Sequence, residues 1–109
     1  MLYKTQSERQ DTVWVTFSLT SKILAGQVHL VGDFNDWDPV ATPMRHDQAR
    51  SCWTVTLSLA PGRSYCFRYL IDSKEWLNDW HADDFVENPY GSYDSVVDLS
   101  ALGVVHGGA

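Results

Sequence analysis

The stretch Cys52-Trp53-Thr54-Val55-Thr56-Leu57-Ser58-Leu59, the link Ala60-Pro61-Gly62-Arg63 and the stretch Ser64-Tyr65-Cys66-Phe67-Arg68-Tyr69-Leu70-Ile71 decide the fold class. Large apolar side chains fall on every second residue: Trp53, Val55, Leu57 and Leu59, then Tyr65, Phe67, Tyr69 and Ile71. A period of two turns one face of each segment to a core and the other to solvent, the pattern of half-buried strands. The link is rich in turn residues and predicts a β-hairpin of strands 52–59 and 64–71. Leu57 then faces Phe67 and Val55 faces Tyr69, which keeps both apolar sets on one side. That register turns Arg68 away from the core. It also separates Cys52 from Cys66 by roughly 20 Å at about 3.4 Å per residue. Disulfides need Cα atoms within about 7 Å, so two free thiols are expected, as in a reducing compartment.

The same alternation extends outward from this pair. Val13, Val15, Phe17 and Leu19 alternate with Trp14, Thr16 and Ser18, and residues 27–32 and 95–99 read as further short strands rich in Val and Leu. Turn signals separate them: Ala25-Gly26, Asn35-Asp36, Asp38-Pro39, Asp72-Ser73 and Asn88-Pro89-Tyr90-Gly91. No window of about 11 residues carries an amphipathic helix. Short strands at regular spacing predict an all-β, mostly antiparallel β-sandwich of about seven strands. The expected organisation is one domain, residues 1–109, with its core at about 12–99 and loose ends at 1–11 and 103–109.

With 109 residues, the chain is too short for a (β/α)₈ barrel of about 250. It is 44% apolar and 20% charged, a globular balance and not a disordered one. The net charge of −6 argues against nucleic acid and anionic membrane surfaces as partners, since both select basic patches. No stretch nears the ~18 apolar residues of a membrane span, and residues 1–8 hold no apolar signal core, so a cytoplasmic location is expected. Between Asp72 and Asp98 stand eight acids and one base, Lys74. They lack the Asp-x-Asp-x-Asp-Gly spacing of a calcium loop and read as a solvated loop region.

Catalytic and cofactor motifs are absent: there is no G-x-S-x-G, H-E-x-x-H, phosphate loop or C-x-x-C. His29, His46, His81 and His106 are scattered without ligand spacing, so neither metal nor cofactor is expected. Asp33, Asp36 and Asp38 cluster around Trp37. Paired carboxylates hydrolyse glycosides, but so short a chain leaves no second layer to form a cleft, and Asx residues cap tight turns. The chain is therefore expected not to be an enzyme.

The informative feature is the placement of aromatics at turns. Val28-His29-Leu30-Val31-Gly32-Asp33-Phe34-Asn35-Asp36-Trp37-Asp38-Pro39 ends a strand and sets a tryptophan at the tip of a polar turn. Phe67-Arg68-Tyr69-Leu70-Ile71-Asp72-Ser73-Lys74-Glu75-Trp76 sets another just past a strand end, and Asn88-Pro89-Tyr90-Gly91-Ser92-Tyr93-Asp94-Ser95-Val96-Val97 leads a third turn into a strand. An exposed indole is costly unless a ligand covers it. The outward Arg68 offers planar donors beside these indoles. Trp37, Trp76 and Arg68 are thus binding candidates; the alternative for Arg68 is a plain ion pair with Asp94 or Asp79.

Together these three stretches resemble the family 48 carbohydrate-binding modules, also called isoamylase N-terminal or early-set domains, over about residues 13–99. They are similar to the glycogen-binding domain of the AMP-activated kinase β-subunit and to the module before the catalytic barrel in branching enzymes of glycoside hydrolase family 13. The resemblance implies an immunoglobulin-like sandwich that binds α-1,4-glucan (glycogen, starch, maltooligosaccharide) without cleaving it. The family's platform tryptophans fall on Trp37 and Trp76, its basic strand residue on Arg68 and its apolar residue that reaches around the glucan on Tyr90. Two polar contacts fall on Ser92 and Asp94. A rival reading keeps the fold but treats the sugar site as degenerate and the sandwich as a surface that docks onto a glucan-metabolising enzyme or onto itself.

Three positions carry separate expectations. The family usually has Asn where Asp94 stands. An unpaired Asp94 would lose by desolvation under glucan, so Asp94→Asn would tighten binding; an Asp94 paired with Arg68 would make the same change weaken it. The acidic surroundings favour the first outcome. Trp80 either extends the sugar platform or fills a gap under the acidic loop, and packing is the favoured expectation. Trp14 lies on the outward face of its strand, open to a neighbouring domain, a second copy or nothing.

Overall fold

The alternating segments pair into two antiparallel sheets whose apolar faces meet. The computed structural model describes residues 1–6, 11–23 and 25–102. Among the described residues nine strands run in chain order: β1 Leu2–Gln6, β2 Val13–Thr20, β3 Val28–Gly32, β4 Arg45–Asp47, β5 Cys52–Leu59, β6 Ser64–Ile71, β7 Glu75–Leu77, β8 Asp84–Glu87 and β9 Tyr93–Asp98. One sheet has the order β1-β2-β5-β4; the other has β3-β6-β9-β8, with β7 also paired to β6. The result is the expected all-β, immunoglobulin-like sandwich. Among the described residues no helix is long and apolar enough to cross a membrane.

The core lies between the sheets. Val13, Val15 and Phe17 of β2 are fully buried against Leu30 of β3, Phe67 and Tyr69 of β6 and Val97 of β9. Phe17 packs edge-on against Phe67 at 5.0 Å between ring centroids, and Phe67 against Tyr69 at 5.7 Å. Each such burial is worth about 1.5–3 kcal/mol, and tilted rings gain further from their quadrupoles.

The predicted hairpin of 52–59 with 64–71 does not form. Leu57 pairs with Val15 and Val55 with Phe17, while Phe67 pairs with Gly32 and Tyr69 with Leu30. β5 and β6 belong to opposite sheets, and residues 60–63 carry the chain across the sandwich. The physical reason is that alternation is blind to this choice. A hairpin and a crossing both send every second apolar side chain into the same core. The link is held by the chain end beyond β9: Gly62 N–H donates to the Leu99 carbonyl at 2.8 Å and Leu99 N–H to the Arg63 carbonyl at 3.0 Å. Gly62 has φ of 84°, a left-handed value that a residue with Cβ adopts only with strain. Cys52 and Cys66 now sit in different sheets and are free thiols, so the two-thiol expectation survives although its register argument does not.

Two further differences lie at the edges. The N-terminal residues expected to be loose include β1, which pairs with β2 from Leu2↔Phe17 to Gln6↔Val13. Its largely exposed side chains hide this from a periodicity reading. β8 is an edge strand exposed at all four residues, and its charged Asp84 and Glu87 protect the edge from pairing with another chain. The expectation for 103–109 lies outside the described residues.

Gly32 ends β3 where the chain passes closest to β6. A Cβ there would collide with the carbonyl oxygen of Cys66 and lie 2.8 Å from Cβ of Phe67 and 2.9 Å from the ring of Phe34. Gly32→Ala is therefore expected to destabilise the fold by about 3 kcal/mol through overpacking against backbone. Urea unfolding at unchanged m-value checks this; a midpoint equal to that of the wild type would show that β3 and β6 are not this close.

Candidate functional site

The outer face of the β3-β6-β9-β8 sheet carries the site. On β6, Tyr65, Phe67 and Tyr69 point inward, so Cys66 and Arg68 point outward. Arg68 stands opposite Val31, and Leu70 stands opposite Trp76 of β7. β7 returns through a turn in which Asp72 and Ser73 both have positive φ, 51° and 60°, with Lys74 N–H donating to the Ile71 carbonyl at 2.9 Å. Positive φ at both central residues is the signature of a type I′ turn, whose twist suits a tight hairpin. Asp72 also accepts the N–H groups of Gly26 and Gln27. Trp76 is thereby fixed on the same face as Arg68, 44% exposed.

Trp37 arrives from the other side, after β3. Asn35 clamps that turn: its Oδ1 accepts the Gly32 N–H, and its Nδ2 donates to the Leu30 carbonyl and to Oγ1 of Thr42. Phe34 folds back on Phe17 at 5.5 Å between ring centroids. Asp36 and Trp37 then take left-handed φ of 55° and 57°. Asp tolerates this region; a tryptophan there costs on the order of 1–3 kcal/mol and marks a position held for a purpose. Trp37 N–H donates to the Gly32 carbonyl at 2.9 Å and its indole Nε1–H to Oδ1 of Asp33 at 2.9 Å. The second Asp33 oxygen accepts the Cys66 N–H at 2.7 Å, and Asp38 accepts the Val40 N–H at 2.9 Å. Asp38 thus caps the turn as the sequence reading expects, whereas Asp33 holds the indole and the end of β6.

The third wall is the 88–92 turn. It has Asn first, Pro second and Gly fourth, the preferences of a type I turn, and Gly91 N–H donates to the Asn88 carbonyl at 3.2 Å. The Asn88 side chain accepts the N–H groups of Tyr90 and Ser92 and donates to Asp94 at 3.2 Å. Tyr90 projects from the tip, 93% exposed.

Arg68 lies at the centre. Its Nε–H donates to Oδ1 of Asp94 at 2.9 Å, and Nη2 donates to Oγ of Ser92 at 3.0 Å and to the Tyr93 carbonyl at 2.6 Å. The pair is well sheltered, with side chains 17% and 15% exposed, so the contact is charge-assisted and only partly screened. The expectation of an unpaired Asp94 is corrected: its carboxylate orients Arg68. Nη1 has no partner among the described residues and stays available to a ligand. Asp79, the other candidate partner, takes the Tyr69 hydroxyl instead.

Trp37, Arg68, Trp76, Tyr90 and Asp94 line one open concavity of about 570 Å³. Ser92 stands behind it, holding Arg68. Asp33, Cys66 and Asn88 also line it and were not expected as site residues; the legible signal was Asn88, which opens the Asn-Pro-Tyr-Gly turn. Trp80 is corrected too: it is 87% exposed and does not pack under the acidic loop. Trp14 stays half exposed on the outer face of the other sheet.

The Carbohydrate-binding module 48 (Isoamylase N-terminal domain) family model matches residues 4–91. The chain is also similar to the 1,4-alpha-glucan branching enzyme GlgB of Butyrivibrio fibrisolvens, 34% identical over 70 residues. That similarity covers 63% of this chain and 10% of the enzyme, so the chain spans only a small fraction of that relative's length.

Burial, then the negative charges of Asp33 and Asp94, then a hydrogen bond with Asp33 push the Cys66 thiol above its usual value. Thiolate is the reactive form. Mapped alkylation of the native protein with iodoacetamide at pH 8 is expected to modify Cys52 before Cys66. Faster labelling of Cys66 would show that its surroundings are not acidic.

Proposed function

The chain belongs to the carbohydrate-binding module 48 family, and on that premise we propose that it binds α-1,4-glucan on the open concavity without cleaving it. The observation that carries the reading is the convergence of two tryptophans and one braced arginine on a single face. The indoles of Trp37 and Trp76 cover the C–H faces of successive glucose rings. The free Nη1 group of Arg68 donates to their hydroxyls, Ser92 and Asp94 hold that guanidinium, and Tyr90 closes over the sugar. Asp33 and Asp94 are committed to structural partners, which supports binding rather than hydrolysis.

The likeness to a segment of a branching enzyme supports a role beside a glucan-metabolising enzyme of the glycoside hydrolase family 13 type. The charge of −6 speaks against nucleic acid or an anionic membrane as partner. The free thiols Cys52 and Cys66 fit the cytoplasm.

Small open sites bind weakly, so Kd for maltoheptaose is expected on the order of 0.1 mM, about −5.5 kcal/mol. The protein should sediment with insoluble starch and be released by maltoheptaose. Trp37→Ala removes a rigid aromatic anchor and should cost about 2 kcal/mol in calorimetric titration; unchanged affinity in the folded variant overturns the site assignment. Asp94→Asn keeps an acceptor but loses the charge that braces Arg68. It should weaken binding by about 1 kcal/mol, and tighter binding would contradict the bracing role.

A further inference from the structure

Past Trp76 the surface does not return to a polar rim. Trp76, Leu77, Asn78, Trp80, Phe85 and Tyr93 line a second concavity of about 500 Å³, within the ~300–1,000 Å³ of ligand sites. Trp76 lines both hollows. Four of these side chains are large, aromatic and at least 42% exposed: Trp76, Trp80, Phe85 and Tyr93. Exposed aromatics at this density mark a surface that something covers.

We propose that this groove is a second glucan subsite, which continues the first around Trp76 and takes the part of a long α-glucan chain that the first cannot hold. The inference rests on the glucan reading given above. Continuity names the occupant, because a polymer lying on Trp76 in one hollow leaves it by the other. The chemistry agrees. The indole N–H groups of Trp76 and Trp80 and the Tyr93 hydroxyl have no partners among the described residues, so flat apolar faces come with free donors at their edges, as a polyhydroxylated ring requires. Asp84 and Glu87 flank Phe85 on β8, and their negative charge disfavours anionic ligands and leaves a neutral sugar unopposed.

Trp80 is presented on a fixed base in spite of its exposure. Asn78 donates to the Tyr93 carbonyl at 2.8 Å and accepts from Oγ of Ser95 at 2.8 Å. Asp79, 2% exposed, accepts the Tyr69 hydroxyl at 2.7 Å, donates its N–H to Oγ of Ser95 at 2.9 Å and accepts the His81 N–H at 2.8 Å. The backbone on both sides of Trp80 is therefore pinned before any ligand arrives, which lowers the ordering cost of binding.

The test is a comparison of chain lengths. Wild type, Trp80→Ala, Trp80→Phe and Trp37→Ala are titrated with maltotetraose and with long soluble amylose. Trp80→Ala is expected to leave the maltotetraose Kd unchanged and to weaken amylose binding roughly tenfold, the size of one lost aromatic anchor, with Trp80→Phe recovering part of the loss. Trp37→Ala should weaken both ligands. If Trp80→Ala binds amylose as the wild type does while Trp37→Ala still loses both sugars, the second subsite is wrong and the first reading stands; an enzyme surface would then be the better occupant. If the wild type binds neither sugar, both fall.

Discussion

The carboxylate of Asp33 ties the core of this protein to the face that carries the candidate site. β3 runs out at Gly32, and the next N–H on β6, that of Cys66, has no further β3 residue to pair with. Asp33 fills that place with one oxygen and holds the Trp37 indole with the other. A buried or half-buried N–H left unpaired costs about as much as a lost hydrogen bond, so the ladder's end and the indole's orientation are settled together. The close approach that makes this reach possible depends on Gly32 having no side chain. Fold and site thus share one short segment, and the left-handed strain at Trp37 is sustained by contacts that the core needs in any case.

β6 is the organising strand of the second half. It pairs with β3, β9 and β7, and its alternation sends Phe67 and Tyr69 into the core while Arg68 stands out. Each neighbour delivers one part of the surface: the turn after β3 brings Trp37, β7 brings Trp76, and β9 brings Asp94. The guanidinium of Arg68 then gathers the last of these with Ser92 and the Tyr93 carbonyl. The candidate face is a consequence of strand order, which is why residues 37, 68, 76 and 94 meet although they are far apart in sequence.

What the sequence made legible follows from what local pattern can encode. The alternation in 13–19, 52–59 and 64–71 identified strands because one face of each is buried. The same alternation misled the pairing of β5 with β6, since a crossing and a hairpin bury identical side chains. β1, β4, β7 and β8 escaped because they are three to five residues long or almost wholly exposed. Trp37 and Trp76 stood out as indoles at polar turns. Asp33 and Cys66 did not, because their places depend on tertiary contacts, whereas Asn88 was legible as the opening of the Asn-Pro-Tyr-Gly turn. The net charge of its segment says little about Asp94, because its partner is decided by one arginine on the neighbouring strand, Arg68. For Trp80 the sequence leaves packing and a sugar platform both open, because its support in Asn78 and Asp79 is visible only in the fold.

On the proposed reading, glucan lies across Trp37 and Trp76 on the outer face of the β3-β6-β9-β8 sheet. The indole N–H resonances of the five tryptophans, assigned by substitution and followed by NMR as maltoheptaose is added, test it most directly. The Trp37 and Trp76 signals are expected to shift in a saturable way while those of Trp14 and Trp53, on the other sheet, stay still. Movement of Trp14 with Trp37 and Trp76 unmoved would contradict it.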